Sequence, residues 1–136
     1  MKKRLCVLFL AALLIVSGVM LFCTPERGDT EDVKIDYGKS HIFTDREQQD
    51  AANALIKEFQ KTFPDYSLQE VWYISDYWQL EYSRDVDCEE RNIIYISNME
   101  RKETSSEETE PEQLLRYRWC VAQNDAGHWY VFDHGF

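Results

Sequence analysis

Tyr73 and Asp76 place a phenol and a carboxylate three residues apart in a stretch rich in aromatic side chains. A carboxylate base beside a tyrosine donor, in an apolar surround, can abstract and return a proton next to a carbonyl. Asp76 is then the candidate base, with Tyr73 or Tyr95 as the donor. Aromatic residues at strand spacing more often build a core. Tyr73, Tyr95, Tyr117, Trp119, Tyr130, Phe132 and His134 are therefore read as core, or as the lining of a face that takes a ligand or partner. No Gly-x-Ser-x-Gly, phosphate-binding loop or His-Glu-x-x-His occurs, so no motif specifies a reaction.

Metal and thiol chemistry find little support. His41, His128 and His134 are the three histidines. His128 and His134 are six residues apart on one strand, ~20 Å at ~3.3 Å per residue, too far to share a metal. Asp85-Val86-Asp87-Cys88-Glu89-Glu90 alternates carboxylates but lacks the glycine turn and ligand set of an EF-hand, and it reads as a solvated loop. No metal and no cofactor is expected. Cys88 and Cys120 have no Cys-x-x-Cys spacing. Outside the cell they could pair, closing a 32-residue separation. Such a bridge stabilises by ~3–4 kcal/mol on the chain-entropy view. The alternative is a free buried Cys120 and a free exposed Cys88.

The elements that must position these residues begin after an unusual start. The chain has 136 residues and a net charge of -10, yet no Asp or Glu precedes Glu26. The length suits one domain and is too short for a multidomain enzyme or a full dinucleotide-binding fold. Acidity disfavours nucleic acid as a partner. Lys2, Lys3 and Arg4 lead into Leu5 to Phe22, 18 residues of which only Ser17 and Gly18 are not apolar. This is the pattern of an export signal, and at ~27 Å as a helix it also suits a retained membrane anchor. Cys23 directly follows and is a candidate for lipidation, although Phe22 replaces the small residue such a signal prefers. Residues 1–23 are thus read as signal peptide or anchor, with the rest on the extracytoplasmic side of the cell membrane. Beyond Cys23 there are 12 basic and 25 acidic residues, a charge of -13, concentrated in the tether and loops.

Residues 24–43 read as a polar tether with one short extended piece at Val33 to Tyr37, and residues 44–136 as a single α+β domain. Thr44-Asp45-Arg46-Glu47 is a capping box. Ala52, Leu55, Ile56, Phe59 and Phe63 then recur at helical spacing until Pro64 ends the helix. Leu68 to Ser75, Asn92 to Met99, Leu114 to Gln123 and His128 to His134 read as strands. Asp76 to Arg91 is ambiguous between strand and short helix, and Glu100 to Gln113 is a polar loop. Asn124-Asp125-Ala126-Gly127 makes the last turn. Pairing Gln123 with His128 sets Tyr117 opposite His134, Trp119 opposite Phe132, Val121 opposite Tyr130 and Arg118 opposite Asp133. Both faces of this hairpin are substantially apolar, and one long helix covers only one of them. The other needs residues 76–91, a second subunit or a ligand.

Gly38-Lys39-Ser40, Phe43 to Glu47, Leu68 and Trp72-Tyr73 form one familiar stretch. Arg118-Trp119-Cys120-Val121, Asn124 to Trp129 and the closing Gly135-Phe136 form another. Together they resemble a group of small, uncharacterised, membrane-attached, lipoprotein-like extracytoplasmic proteins of Gram-positive bacteria. The resemblance implies one long helix on a curved antiparallel sheet of about four strands, similar to cystatins or the nuclear-transport-factor-two and ketosteroid-isomerase superfamily. It implies no catalytic residues. The resulting expectation is a membrane-tethered domain that binds a protein, peptide or small apolar ligand through its exposed sheet face. The alternatives are a cone-fold isomerase or hydrolase-like enzyme using Asp76 and a tyrosine, and a structural homodimer.

Overall fold

A computed structural model describes residues 25–103 and 112–136. The apolar leader Leu5 to Phe22, Cys23 and most of the acidic loop lie outside the described residues. Among the described residues, no helix is long and apolar enough to cross a membrane.

The architecture is α+β. Strand β1 (Lys34–Asp36) precedes helix α1 (Asp45–Thr62), strand β2 (Tyr66–Tyr73), helix α2 (Asp76–Asp85) and strands β3 (Arg91–Arg101), β4 (Gln113–Gln123) and β5 (Trp129–Gly135). The five strands form one sheet in sequence order. β1 runs parallel to β2 and every other pair is antiparallel. This corrects the expectation of about four antiparallel strands: the short extended piece near Val33 joins the sheet edge. The approach to it is also held, since the Gly28 amide donates to the Gln60 carbonyl at 3.0 Å and Asp29 bonds both Tyr66 and Leu68.

Helix α1 starts where the capping box places it. The Glu47 amide donates to Thr44 Oγ1 at 3.2 Å and the Thr44 amide donates to Glu47 Oε2 at 2.8 Å. Burial works against the Glu47 charge, but the Thr44 amide, the Arg91 guanidinium and the Thr44 hydroxyl hold its carboxyl below the ordinary range. Ala51, Ala52, Leu55 and Phe59 face the sheet and are fully buried. They meet Val71 and Tyr73 of β2, Ile93, Tyr95 and Met99 of β3, and Tyr117, Trp119 and Val121 of β4. That interface is the main core.

The β4–β5 hairpin differs from the expected register. Gly127 takes φ 83° in the turn, which glycine adopts without strain. Gln123, however, pairs with Trp129, Val121 with Val131 and Trp119 with His134. The one-residue slip turns Trp129 and Val131 toward α1, because side chains alternate along a strand. A bulge between Cys120 and Val121 then leaves Phe132 without a partner and returns His134 to the α1 side.

Candidate ligand-binding cleft

The site lies on the sheet face opposite α1, and α2 builds its wall. The ambiguous segment after Tyr73 is helical from Asp76, and it docks through a single buried side chain. Gln79, 3% exposed, donates from Nε2 to the Asn92 carbonyl at 2.9 Å and accepts the Ile94 amide on Oε1 at 2.7 Å. β2 ends at Tyr73, whose partner is Tyr95, so β3 continues past it. The Gln79 amide satisfies the stretch of β3 edge that β2 leaves open.

A cleft of ≈ 360 Å³ opens beside α2, lined by Trp72, Ile74, Trp78, Tyr82, Ile96 and Arg116. Its floor follows from strand alternation: Trp72 pairs with Ile96 and Ile96 with Arg118, one row across three strands. Trp78 and Tyr82 stand four residues apart on α2 with ring centroids 5.8 Å apart. The Arg118 guanidinium sits 5.9 Å from the Tyr82 ring, a cation–π contact tying sheet to helix.

Alternation from buried Tyr117 puts Arg116 on the cleft face with Arg118, and a backbone irregularity begins at this residue. Ser97 pairs with Tyr117 and Met99 with Leu114, so Leu115 and Arg116 together oppose Asn98. Arg116 adopts φ 59° within this bulge. β2 also shifts register at this level, between Leu68 and Glu70. The Asn98 side chain bridges the two irregularities, accepting the Arg116 amide on Oδ1 at 3.0 Å and donating Nδ2 to Glu70 Oε2 at 3.2 Å.

The proton-transfer pair does come together, in a different role. Tyr73 Oη donates to Asp76 Oδ1 at 2.9 Å. The Ser40 hydroxyl donates to the same oxygen at 2.6 Å and the His41 amide to Oδ2 at 2.7 Å. Burial works against the Asp76 charge, yet the Ser40, His41 and Tyr73 hydrogen bonds outweigh it and keep the carboxyl below its ordinary range. Burial, then the Asp76 bond, pushes the Tyr73 phenol up. A general base is tuned the opposite way, toward neutral pH. Asp76 instead pins residues 40 and 41 to the start of α2. Tyr95 is separate: it is fully buried, it donates to the Gln48 carbonyl at 2.7 Å, and burial pushes its phenol up.

The seven aromatic and histidine residues expected to share a face divide. Tyr73, Tyr95, Tyr117 and Trp119 are buried beneath α1. Half-buried His134 joins them, its Nδ1 2.7 Å from the Tyr117 hydroxyl and its ring 5.1 Å from Trp119. Tyr130 and Phe132 are exposed, and the Tyr130 phenol is pushed up to about 12 by its bond to the Glu90 carboxylate. No protein-family model matches the chain, and no curated protein or solved structure matches it either. The chemistry of the cleft therefore rests on its own residues.

Cys88 and Cys120 are free thiols. Cys120 is buried between Ile94 and Asp133 on the cleft-side face, and burial, then the nearby Cys88, pushes its thiol up to about 12. Among the described residues no group of three or more His, Cys, Asp or Glu side chains is arranged to hold a metal. Of the six cleft residues, none figured among the expected site residues. The available signal was the alternation Trp72, Ile74 and Ile94, Ile96, a second apolar face out of phase with the first.

Proposed function

We propose that this is a membrane-tethered extracytoplasmic binding domain, akin to the lipoprotein-like proteins it resembles, that receives an apolar ligand on the sheet face opposite α1. The tether is the leader Leu5 to Phe22, or a lipid on Cys23. The observation that carries the reading is the cleft between α2 and the sheet, with two tryptophans, a tyrosine and two isoleucines around ≈ 360 Å³. Ligand sites are concave and combine apolar walls with a few polar groups; the accessible lining here is about equally polar and apolar, with Arg116 as its charged member. The engaged carboxylate of Asp76 favours binding over isomerase chemistry, because both its oxygens already accept hydrogen bonds from the chain itself.

The test is photolabelling of the full-length chain in phospholipid nanodiscs with a diazirine-bearing decanol, mapped by peptide mass spectrometry. Label is expected on residues 72–82 and 96. Trp78→Ala removes one wall, where the side chain is half exposed and contributes little to the core, and should lower that labelling severalfold. Label spread evenly over the domain, or insensitive to Trp78→Ala, would refute a cleft.

A further inference from the structure

We infer that the cleft selects a small apolar carboxylate, with the acid on the Arg116 guanidinium and the tail against Trp72, Trp78 and Ile96. The inference rests on the binding reading above and specifies its ligand class. Its starting point is the state of the arginines in a chain of net charge -10. Arg46, Arg84, Arg91 and Arg101 each pair with a carboxylate, and Arg118 lies over Tyr82. Among the described residues Arg27 and Arg116 make no ion pair, but Arg27 lines an open hollow together with Glu26, Asp65 and Glu103, whereas the cleft around Arg116 has no carboxylate in its lining. Glu70, linked to Arg116 through Asn98, lies two strands away on β2 and accepts from Asn98 Nδ2.

The backbone gives a second reason. A non-glycine residue at φ 59° is unfavourable, and such strain persists where the surrounding structure fixes it, commonly at ligand sites. Here the Asn98 side chain fixes it through the Arg116 amide. The result is a planar, permanently charged fork at the edge of an aromatic cleft, the geometry that engages a carboxylate through two parallel hydrogen bonds. The cleft spans β2, β3 and β4, the middle of the sheet, away from the edges where a peptide backbone would add a strand. Its ≈ 360 Å³ is near the small end of ligand sites, which run from about 300 to 1,000 Å³. Both points favour a small acid over a peptide terminus.

Two diazirine probes of matched length, decanoate and decanol, separate the claims on the full-length chain in nanodiscs. The decanoate probe should label residues 72–82 and 96 about tenfold more at equal concentration, the scale of a hydrogen bond to a charged group. Arg116→Asn should abolish that preference, since asparagine tolerates the left-handed backbone and the fold is kept. Arg116→Lys should retain part of it. Equal labelling by both probes, or a preference that survives Arg116→Asn, would overturn the carboxylate inference while leaving the cleft intact. Absence of cleft label from either probe would overturn the binding reading itself. Displacement of the decanoate probe by the peptide Ala-Ala-Ala-Leu at lower concentration than by decanoate would replace the small acid with a peptide terminus.

Discussion

Single residues in this protein carry strain and charge where the chain changes direction. Ser75 joins β2 to α2 at φ 104° and ψ 157°, a region that glycine alone occupies freely, and its side chain makes no capping bond. Ser75→Gly should therefore stabilise the domain by about 1 kcal/mol, the lower end of the cost of such strain, seen as a higher urea midpoint with an unchanged slope. Asp76, the next residue, sets a pH dependence. Its folded carboxyl titrates below its ordinary value of 3.8. A depressed folded value means that its contribution is complete above the unfolded value and is lost as pH falls through the folded one. Urea midpoints should fall as pH drops below about 4, and Asp76→Asn should lower the midpoint at neutral pH while reducing the acid slope. An acid slope unchanged in Asp76→Asn would show that the Ser40 and His41 bonds contribute nothing. The pairing of Asp76 with a tyrosine was expected on a strand, where a three-residue spacing puts side chains on opposite faces; the end of β2 at Tyr73 and the start of α2 at Asp76 are what bring the two together. That Ser40 and His41 would occupy the carboxylate was not legible, because those contacts span 36 and 35 residues of sequence.

At the scale of elements, α1 could be read in full from the sequence, because its capping box and apolar stripe are local signals. α2 could not. Its ten residues carry one buried side chain, Gln79, and expose Tyr77, Trp78 and Leu80, so it has no apolar stripe to recognise. Its anchor is polar. Gln79→Ala would strip the buried Ile94 amide and the half-buried Asn92 carbonyl of β3 of their partner and should cost about 1–3 kcal/mol. Faster hydrogen exchange at the Ile94 amide should accompany the loss, and an unchanged Ile94 rate would mean that α2 is not held this way. The hairpin register was missed for a related reason. Its turn residues and apolar alternation fit two pairings one residue apart, and the bulge at Phe132 is a property of the assembled sheet. On the same face, native Cys88 should react with a thiol reagent well before Cys120, which is 2% exposed and whose thiol is pushed up to about 12. Equal rates, read by peptide mapping, would show that β4 is not covered there.

The described part of the molecule is a sheet with two unlike faces. One is sealed by α1 over a continuous core in which Tyr95, Trp119 and Phe59 are fully buried. The other is only partly covered by α2. The apolar character of both faces was visible in the sequence, and with it the need for a second cover. Which residues remain open was not, since that depends on where α2 lies. Tyr130 and Phe132 form a rival exposed surface on β5. The most direct test of the account is the distribution of a diazirine-bearing decanoate label over the full-length chain in nanodiscs. Most of the label is expected on peptides containing residues 72–82 and 96 and little on residues 129–136. The reverse distribution would contradict the proposal, moving the binding surface from the α2 cleft to the outer strand.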